Sequence, residues 1–431
     1  MKVAICTLGC KVNTYESEYA LSKFLKKGYE LTSFDDDTAD VYLINTCTVT
    51  NTSDSKSRKM IRQARKKNKD AVVVAMGCFT QIRDNDNAIM DYVDVVIGNN
   101  DKSKIVDLVE EYINNKKKIL NIKDISTADF DDMEIYKFNT RTRALVKIED
   151  GCENYCTYCI IPYVRGKVRS KDPKKVIEEV NELVNNGYKE IVLTGIHTGH
   201  YGADLKNYDF SDLLMKLDKI EKLERIRISS IEIVELNDKF LEVLKKSKKI
   251  VNHIHIPLQA GSDKILKLMN RRYDKKYYSD RINKIRNIRP NIAITTDVIV
   301  GFPNETEKDF NETIEFVKEI NFAGGHVFPY SKRNNTPAAK MDGQISKVEK
   351  HDRCKRLIDV FSKLEDNYYE LNVGKSLIVI PEVYKDEYLT GHTDNYIKVK
   401  FKGCNELIGK TVEVKIESVN DKIASGILKK H

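Results

Sequence analysis

Three features are missing from the sequence: tryptophan, a long hydrophobic run and a signal peptide. No apolar segment approaches the roughly 20 residues that a transmembrane helix needs, so we expect no membrane partner. Polar residues resume after residues 1–5 before the apolar core of a signal peptide can form, so we expect a cytoplasmic protein. The lack of tryptophan accompanies abundant Lys, Asn and Ile, and it excludes no function.

Composition permits a folded protein with a nucleic-acid partner. The 431 residues predict roughly three domains, and 41% hydrophobic residues are enough to form their cores. The 73 basic and 65 acidic residues give a net charge of +8, a mild excess that allows nucleic-acid binding without requiring it. Thiols stay reduced in the cytosol, so the nine cysteines favour metal binding or catalysis over disulfides.

The most informative motif is a C-x3-C-x2-C run formed by Cys152, Cys156 and Cys159. A structural zinc site almost always has four ligands, and an iron–sulfur cluster held only by cysteine needs four thiolates. No fourth cysteine lies nearby. Three thiolates on a four-iron cluster would leave one iron free for another ligand. The motif therefore predicts a reactive metal centre.

Alternating strand and helix patterns predict an α/β class for most of the chain. An N-terminal α/β domain with a parallel sheet is expected over 1–115, with strands at 3–6, 41–45, 71–76 and 93–97. Ser53 is the expected N-cap of a basic helix in this domain. A charged linker follows over 116–140.

The second alternating series, within 141–370, contains six βα units and predicts a partial (β/α)6 barrel. Its expected strands are 144–148, 190–194, 225–229, 253–258, 292–300 and 325–330. A helix over 172–187 has Asp172 as N-cap and Pro173 at its first position, and a long charged helix covers 347–370. The pattern then changes to short β-rich runs over 371–431, which predict a small five-stranded all-β barrel like the OB-fold class.

Three widely separated cysteines, Cys10, Cys47 and Cys78, each follow the carboxyl end of a predicted strand. Ligands of open parallel sheets gather at that edge, so three adjacent strands would bring the thiols together as a second metal site. The alternative is three ordinary buried cysteines, and the pattern leaves both open. Cys6, Cys354 and Cys404 lack such partners, and we interpret them as structural.

Polar residues at the ends of the barrel strands predict a cofactor rim, because catalytic groups of such barrels collect there. Each of them could instead be an ordinary turn or cap residue. The candidates are Gly195, Ser230, Glu232, Gln259 and Asp297. The basic run over 56–69 is either a solvated helix face or a phosphate-binding surface.

Several motifs together resemble one family, the radical S-adenosylmethionine methylthiotransferases. They are Leu8-Gly-Cys-Lys-Val-Asn13, Asn45-Thr-Cys47, Gly77-Cys78, Gly151-Cys-Glu-Asn-Tyr-Cys-Thr-Tyr-Cys159, Ser229-Ser-Ile-Glu232, Pro257-Leu-Gln-Ala-Gly-Ser262 and Phe328-Pro-Tyr-Ser331. The all-β tail looks like a TRAM RNA-binding domain. The form Gly-Cys-Lys-Val-Asn resembles the branch that acts on N6-threonylcarbamoyladenosine, whereas the isopentenyladenosine branch typically has Gly-Cys-Gln-Met-Asn.

The resemblance implies two 4Fe–4S clusters, one on Cys10, Cys47 and Cys78 and one on the C-x3-C-x2-C loop. It implies S-adenosylmethionine as radical source and methyl donor, and a methylthio group placed on carbon 2 of an adenosine at position 37, next to the anticodon. The implied partners are the tRNA anticodon stem-loop and an electron donor such as flavodoxin or ferredoxin, with the chain acting as a monomer; the sulfur source is unspecified. Thr194-Gly-Ile-His197 departs from the Gly-Gly-Glu of many radical enzymes, so the contact to the S-adenosylmethionine amino group is unassigned.

Three alternatives stay open. The same chemistry could act on isopentenyladenosine in tRNA or on a ribosomal protein. A different class, a non-catalytic iron–sulfur or RNA-binding protein, is disfavoured by the intact cysteine motifs and the polar strand ends.

Overall fold

The computed structural model describes residues 1–35, 38–82, 87–138 and 142–429. Its N-terminal part is built on a parallel sheet whose strands alternate with helices. The elements are β1 (Lys2–Thr7), α1 (Lys11–Lys26), β2 (Glu30–Leu31), β3 (Val41–Thr46), α2 (Asn51–Lys67), β4 (Val72–Gly77), α3 (Cys78–Gln81), α4 (Asn87–Met90), β5 (Val95–Ile97), α5 (Ile105–Asn115) and β6 (Ile119–Asn121). The strand order is β2-β1-β3-β4-β5-β6, and every pairing is parallel.

The central strands of this sheet are buried on both faces. All residues of β3 and β4 are buried, and their Val- and Ile-rich sequences suit a sheet covered by helices on both sides. One face packs on α1 and α5, and the other packs on α2 through Ile61 and Ala64. The predicted α/β class of this region is confirmed.

The expected cap of α2 was wrong by one turn. Thr50, not Ser53, is the N-cap, and its side chain accepts a hydrogen bond from the Ser53 N–H at 3.1 Å. Thr and Ser are both common N-cap residues. Thr50 is the N-cap here because the helical backbone begins at Asn51. The helix therefore begins closer to the end of β3 than the sequence pattern indicated.

The central part of the chain forms the predicted partial barrel. Its elements are β7 (Ala144–Lys147), β8 (Glu149–Asp150), α6 (Ile161–Arg165), β9 (Arg169–Ser170), α7 (Pro173–Asn185), β10 (Glu190–Thr194), α8 (Phe210–Leu217), β11 (Arg225–Ile228), α9 (Asp238–Lys246), β12 (His253–His255), α10 (Asp263–Leu268), α11 (Lys275–Ile288), β13 (Ala293–Val300), α12 (Glu307–Ile320), β14 (Gly324–Pro329) and α13 (Lys347–Glu370). Strands β7, β10 and β11 form one parallel sheet and β12, β13 and β14 another. An isolated parallel bridge pairs Ile226 of β11 with Ile250, three residues before β12, so the two sheets adjoin and the six main strands follow chain order.

The C-terminal part is a closed five-stranded barrel, as predicted. Its strands are β15 (Ser376–Lys385), β16 (Tyr388–Thr393), β17 (Lys398–Lys402), β18 (Val412–Asn420) and β19 (Ile423–Leu428), in the order β15-β16-β17-β19-β18. This module packs on the central barrel through polar and aromatic contacts. The Arg225 guanidinium donates to the Ile378 carbonyl at 2.6 Å, and the His253 ring stacks on Tyr396 with centroids 4.6 Å apart.

The division into units 1–115, 116–140, 141–370 and 371–431 stays a prediction, and its boundary at 140/141 falls outside the described residues. None of the helices described is both long enough and apolar enough to cross a lipid bilayer.

Candidate active site formed by two cysteine triads

The first cysteine triad lies at the carboxyl edge of three adjacent strands. Cys10 caps the start of α1 shortly after β1, Cys47 directly follows β3, and Cys78 directly follows β4. The β1-β3-β4 order gives the strand adjacency that the sequence pattern required. The Asn13 amide fixes the loops around these thiols, because it donates to the Leu8 carbonyl at 2.7 Å and to the Thr46 carbonyl at 3.0 Å.

Gly9 keeps the space beside this triad open. Its φ of +101° disfavours other residues, and a Cβ at this position would lie 2.9 Å from Cys47 Cβ and 3.0 Å from Cys47 Sγ. Any side chain here would therefore displace the Cys47 thiol. A bulky inorganic group bound by the three thiols needs the room that Gly9 leaves.

The second triad lies on the loop between β8 and α6, at the top of the first barrel strands. The Cys152 N–H donates to the Gly166 carbonyl at 3.0 Å, and the Cys159 N–H donates to the Cys156 carbonyl at 2.9 Å. The backbone at Gly151 packs closely against Lys167, because a Cβ on Gly151 would lie only 1.8 Å from the Lys167 carbonyl oxygen. Only glycine fits at this contact between the two ends of the loop. Gly151 and Cys152 at the start of the loop are therefore held against Gly166 and Lys167 at its end.

Two basic groups lie against the second triad. The Arg271 guanidinium is 3.2 Å from Cys156 Sγ and forms a 2.8 Å ion pair with Glu232. His197 Nδ1 is 3.7 Å from Cys152 Sγ, and its other ring nitrogen contacts the Glu235 carboxylate. Positive charge beside a thiolate stabilises its ionised form.

The thiol chemistry of both triads fits iron. All nine cysteines lie within the described ranges, and all are free. Burial raises the pKa of Cys10, Cys47, Cys156 and Cys159, while Arg165 at Cys10 and Arg271 at Cys156 act in the opposite direction. Metal binding would convert such thiols to thiolates and release their protons. Each triad offers three soft ligands, one fewer than a closed tetrahedral zinc site needs.

The five other candidates of the sequence lie around the barrel rim, and all are partly exposed. Glu232 is held by Arg271, and Asp297 pairs with His255 at 3.2 Å. Gln259 has a φ of +65° and bridges to Val298 next to Asp297. Gly195 faces a carboxylate oxygen of Glu149, and Ser230 follows β11. Their roles as cofactor contacts stay predictions.

Arg165 connects the two triads, and the sequence interpretation missed this role. It ends α6, six residues after Cys159, and its Nε lies 3.3 Å from Cys78 Sγ in the other triad. Its guanidinium also donates to Glu16 at 2.8 Å, to Asp150 at 3.0 Å and to Asn13 at 2.8 Å. Its position at the end of the cysteine loop is the signal that could have identified it.

A buried ionic cluster surrounds Arg165 between the N-terminal sheet and the barrel. Glu16 also pairs with Lys102 at 2.6 Å and with Lys147 at 3.1 Å. Burial alone would raise the pKa of Glu16, but the three cations outweigh it and hold that pKa well below its usual range. The carboxylate is therefore ionised, and the cluster joins the two parts of the chain through charge-assisted hydrogen bonds.

Comparison with known proteins agrees with this architecture. Residues 2–98 match the "Uncharacterized protein family UPF0004", residues 146–317 the radical SAM superfamily and residues 378–429 the TRAM domain. The chain is 47% identical to the threonylcarbamoyladenosine tRNA methylthiotransferase MtaB of Bacillus subtilis, over 96% of this chain and 93% of that protein. It is 42% identical to the protein of the same name from Aquifex aeolicus, over 96% of this chain and all of that protein.

The chain belongs to the radical S-adenosylmethionine tRNA methylthiotransferases. A tRNA-2-methylthio-N(6)-dimethylallyladenosine synthase of Clostridium botulinum is also similar, with 36% identity over 96% of this chain and 94% of that protein. Among solved structures, the radical methyltransferase TsrM of Kitasatospora setae shares the fold, with a TM-score of 0.56 and 12% identity over 78% of this chain and 76% of that one. Membership in this methylthiotransferase family implies a 4Fe–4S cluster and S-adenosylmethionine.

We predict that Arg165→Gln loosens the junction between the N-terminal sheet and the barrel of this methylthiotransferase. Removing one partner of a buried ion pair typically costs about 3–5 kcal/mol, because the remaining charges stay desolvated. Calorimetric unfolding of the variant should show a lower midpoint. Arg169→Gln is the matched control, since Arg169 lies 3.8 Å from Asp150 and donates to backbone carbonyls. Equal midpoints for the two variants would contradict the central role of Arg165.

Proposed function

We propose that this chain adds a methylthio group to carbon 2 of N6-threonylcarbamoyladenosine at position 37 of tRNA. The observation that carries the proposal is the Arg165 contact, because one side chain joins the loop of one cysteine triad to a thiol of the other. Two metal centres on either side of this contact would suit a reaction that both activates a carbon atom and delivers sulfur to it. The identity to two proteins named for threonylcarbamoyladenosine, 47% and 42%, is higher than the 36% identity to the dimethylallyladenosine synthase, and this difference supports the threonylcarbamoyl substrate.

We propose that Cys152, Cys156 and Cys159 hold the cluster that binds S-adenosylmethionine, and that Cys10, Cys47 and Cys78 hold a second 4Fe–4S cluster. Bound S-adenosylmethionine would supply the radical and the methyl group. The chain's own residues would orient these reagents. Arg271 fixes Glu232 beside Cys156, and Gly195, Ser230, Gln259 and Asp297 supply a polar rim of partly exposed groups.

The basic face of α2 is a proposed site for tRNA phosphates. Lys56, Lys59, Arg62 and Lys66 are exposed at helical spacing, so they share one face. The helix starts at the barrel rim, where the Asn51 amide donates to the Lys332 carbonyl at 3.2 Å. tRNA phosphates bound along this face would position an adenosine of the anticodon loop near the triads.

The C-terminal barrel offers a second RNA-binding surface. Tyr384 and Tyr388 are 40% and 42% exposed, and Lys400 Nζ lies 4.5 Å above the Tyr388 ring. Exposed aromatic rings beside cations suit stacking of unpaired bases and contact with the backbone. We further propose that the enzyme works in the cytoplasm as a monomer, with flavodoxin or ferredoxin as electron donor.

The two proposed clusters predict how many iron atoms each chain binds. Anaerobically reconstituted protein should bind about eight iron atoms per chain, as two clusters of four. Replacing Cys47 and Cys78 with Ala, or Cys156 and Cys159 with Ala, should leave about four in each case. Cys6→Ala and Cys404→Ala are controls that should keep the full content. Loss of all iron from one double variant with folding intact would contradict independent sites, and four irons in wild type would contradict the second cluster.

Nucleoside mass spectrometry tests the substrate. Deletion of the gene should remove 2-methylthio-N6-threonylcarbamoyladenosine from cellular tRNA and leave the unthiolated nucleoside in its place. Wild-type protein should restore the modification, and Cys156→Ala should not, because it removes a proposed cluster ligand. Loss of the dimethylallyl derivative instead would assign the other tRNA substrate. Unchanged tRNA with an altered ribosomal protein would reject tRNA as the target.

A further inference from the structure

Two histidines and one glutamate, none of them part of a cysteine triad, meet at the rim of the barrel. His197 and His200 follow β10, and Glu235 follows β11. These two strands are parallel neighbours. Side chains that follow the carboxyl ends of neighbouring barrel strands share one edge of the sheet. The barrel architecture therefore brings the three side chains together.

A short helical turn places the two imidazole rings on one side. Thr198–His200 is a single turn of 3₁₀ helix, and the His200 N–H donates to the His197 carbonyl at 2.8 Å. With three residues per turn, side chains three positions apart are eclipsed. The two rings accordingly lie one above the other, with centroids 3.9 Å apart and planes inclined by 30°. Both Nε2 atoms reach the carboxylate of Glu235.

The Glu235 carboxylate is held so that one oxygen faces both rings. Its Oε2 accepts a hydrogen bond from the Glu232 N–H at 3.1 Å, as part of a capping box between these two residues. Its Oε1 is in contact with His197 Nε2 and lies 3.6 Å from His200 Nε2. One carboxylate oxygen and two imidazole nitrogens thus converge on one point.

Two of these converging atoms are buried without a hydrogen bond. The side chains of His197 and Glu235 are 5% and 8% exposed. In the part of the chain that the structure describes, neither His197 Nε2 nor Glu235 Oε1 has a hydrogen-bond partner of good geometry, although the two atoms are in contact. Buried polar atoms rarely lack a partner, and a bound ion is one explanation where they do. The His200 side chain is 28% exposed, so the group can be reached from solvent.

The spacing and chemistry of the three side chains fit a metal ion. Their ligand atoms all lie within 4.8 Å of one another. Zinc binds imidazole nitrogen and carboxylate oxygen at about 2.0–2.2 Å, so two such ligands of a tetrahedral ion are roughly 3.4 Å apart. The 3.6 Å between His200 Nε2 and Glu235 Oε1 is close to that value, whereas the closer His197–Glu235 pair would separate to admit the ion. Two imidazoles and one carboxylate form a ligand set that suits zinc or ferrous iron and leaves coordination positions open.

We propose that His197, His200 and Glu235 bind one divalent transition-metal ion, apart from the two clusters; this inference goes beyond the proposed function and does not depend on it. His197 Nδ1 faces Cys152 Sγ at 3.7 Å, so the ion at Nε2 lies on the side of the ring away from the cysteine loop. A metal on Nε2 keeps the ring proton on Nδ1. His197 then donates a hydrogen bond toward the Cys152 sulfur, and the ion fixes this donor beside the second triad.

Zinc is the probe, because it can be counted separately from cluster iron. The anaerobically reconstituted full-length enzyme is dialysed against Zn²⁺, and both metals are then measured. Wild type should retain about one zinc per chain with its iron content unchanged. His200→Ala should weaken zinc binding by at least about 100-fold, because loss of a group that merely supports a metal ligand already costs about 10- to 100-fold. Glu235→Gln removes the charge but keeps an oxygen for the Glu232 N–H, and it should also lower the zinc affinity.

His351→Ala is the matched control, because His351 is an exposed histidine of α13. It should bind zinc as wild type does. Zinc-edge X-ray absorption of the wild-type sample should show nitrogen and oxygen ligands at about 2.0–2.2 Å and no sulfur at about 2.3 Å. Failure of wild type to retain zinc, sulfur ligands around the zinc, or wild-type affinity in His200→Ala would each overturn the inference. None of these measurements depends on tRNA modification, so the proposed function is tested separately.

Discussion

The buried guanidinium of Arg165 is the interaction on which the arrangement of this protein depends. It bonds to Glu16 of the N-terminal domain and to Asp150 of the barrel, and its Nε reaches Cys78. Isolated charges are costly in a protein interior, but here each is matched by opposite charge and hydrogen bonds. The cluster therefore favours one mutual position of the two parts of the chain. In that position the loop of one triad lies against the other.

The location of each triad follows from parallel β architecture. In both the open N-terminal sheet and the partial barrel, backbone and side-chain groups gather where strands end. The Arg165 cluster joins these two edges, because Arg165 ends the helix that follows the second triad and its Nε contacts Cys78 of the first. The first triad and the loop of the second are thus held together by the same junction.

The sequence predicted the strands and the cysteine positions that depend on local residue patterns. Continuous Val- and Ile-rich runs predicted β3 and β4, and the strand-end rule predicted that Cys10, Cys47 and Cys78 share one edge of the sheet, as the strand order shows. The capping of α2 failed because Thr50 and Ser53 are both good caps, and only the backbone distinguishes them. The partners of Arg165 in the N-terminal part could not be assigned, because Cys78 and Glu16 lie 87 and 149 residues away in sequence and no local periodicity encodes such pairs.

The central claim is that two separate metal centres lie on either side of the Arg165 junction. Anomalous diffraction at the iron edge, on crystals of anaerobically reconstituted protein, tests it most directly. The account predicts two iron clusters, one within bonding distance of Cys10, Cys47 and Cys78 and one of Cys152, Cys156 and Cys159, with Arg165 between them. A single cluster, or two clusters that face away from each other with Arg165 in solvent, would contradict it.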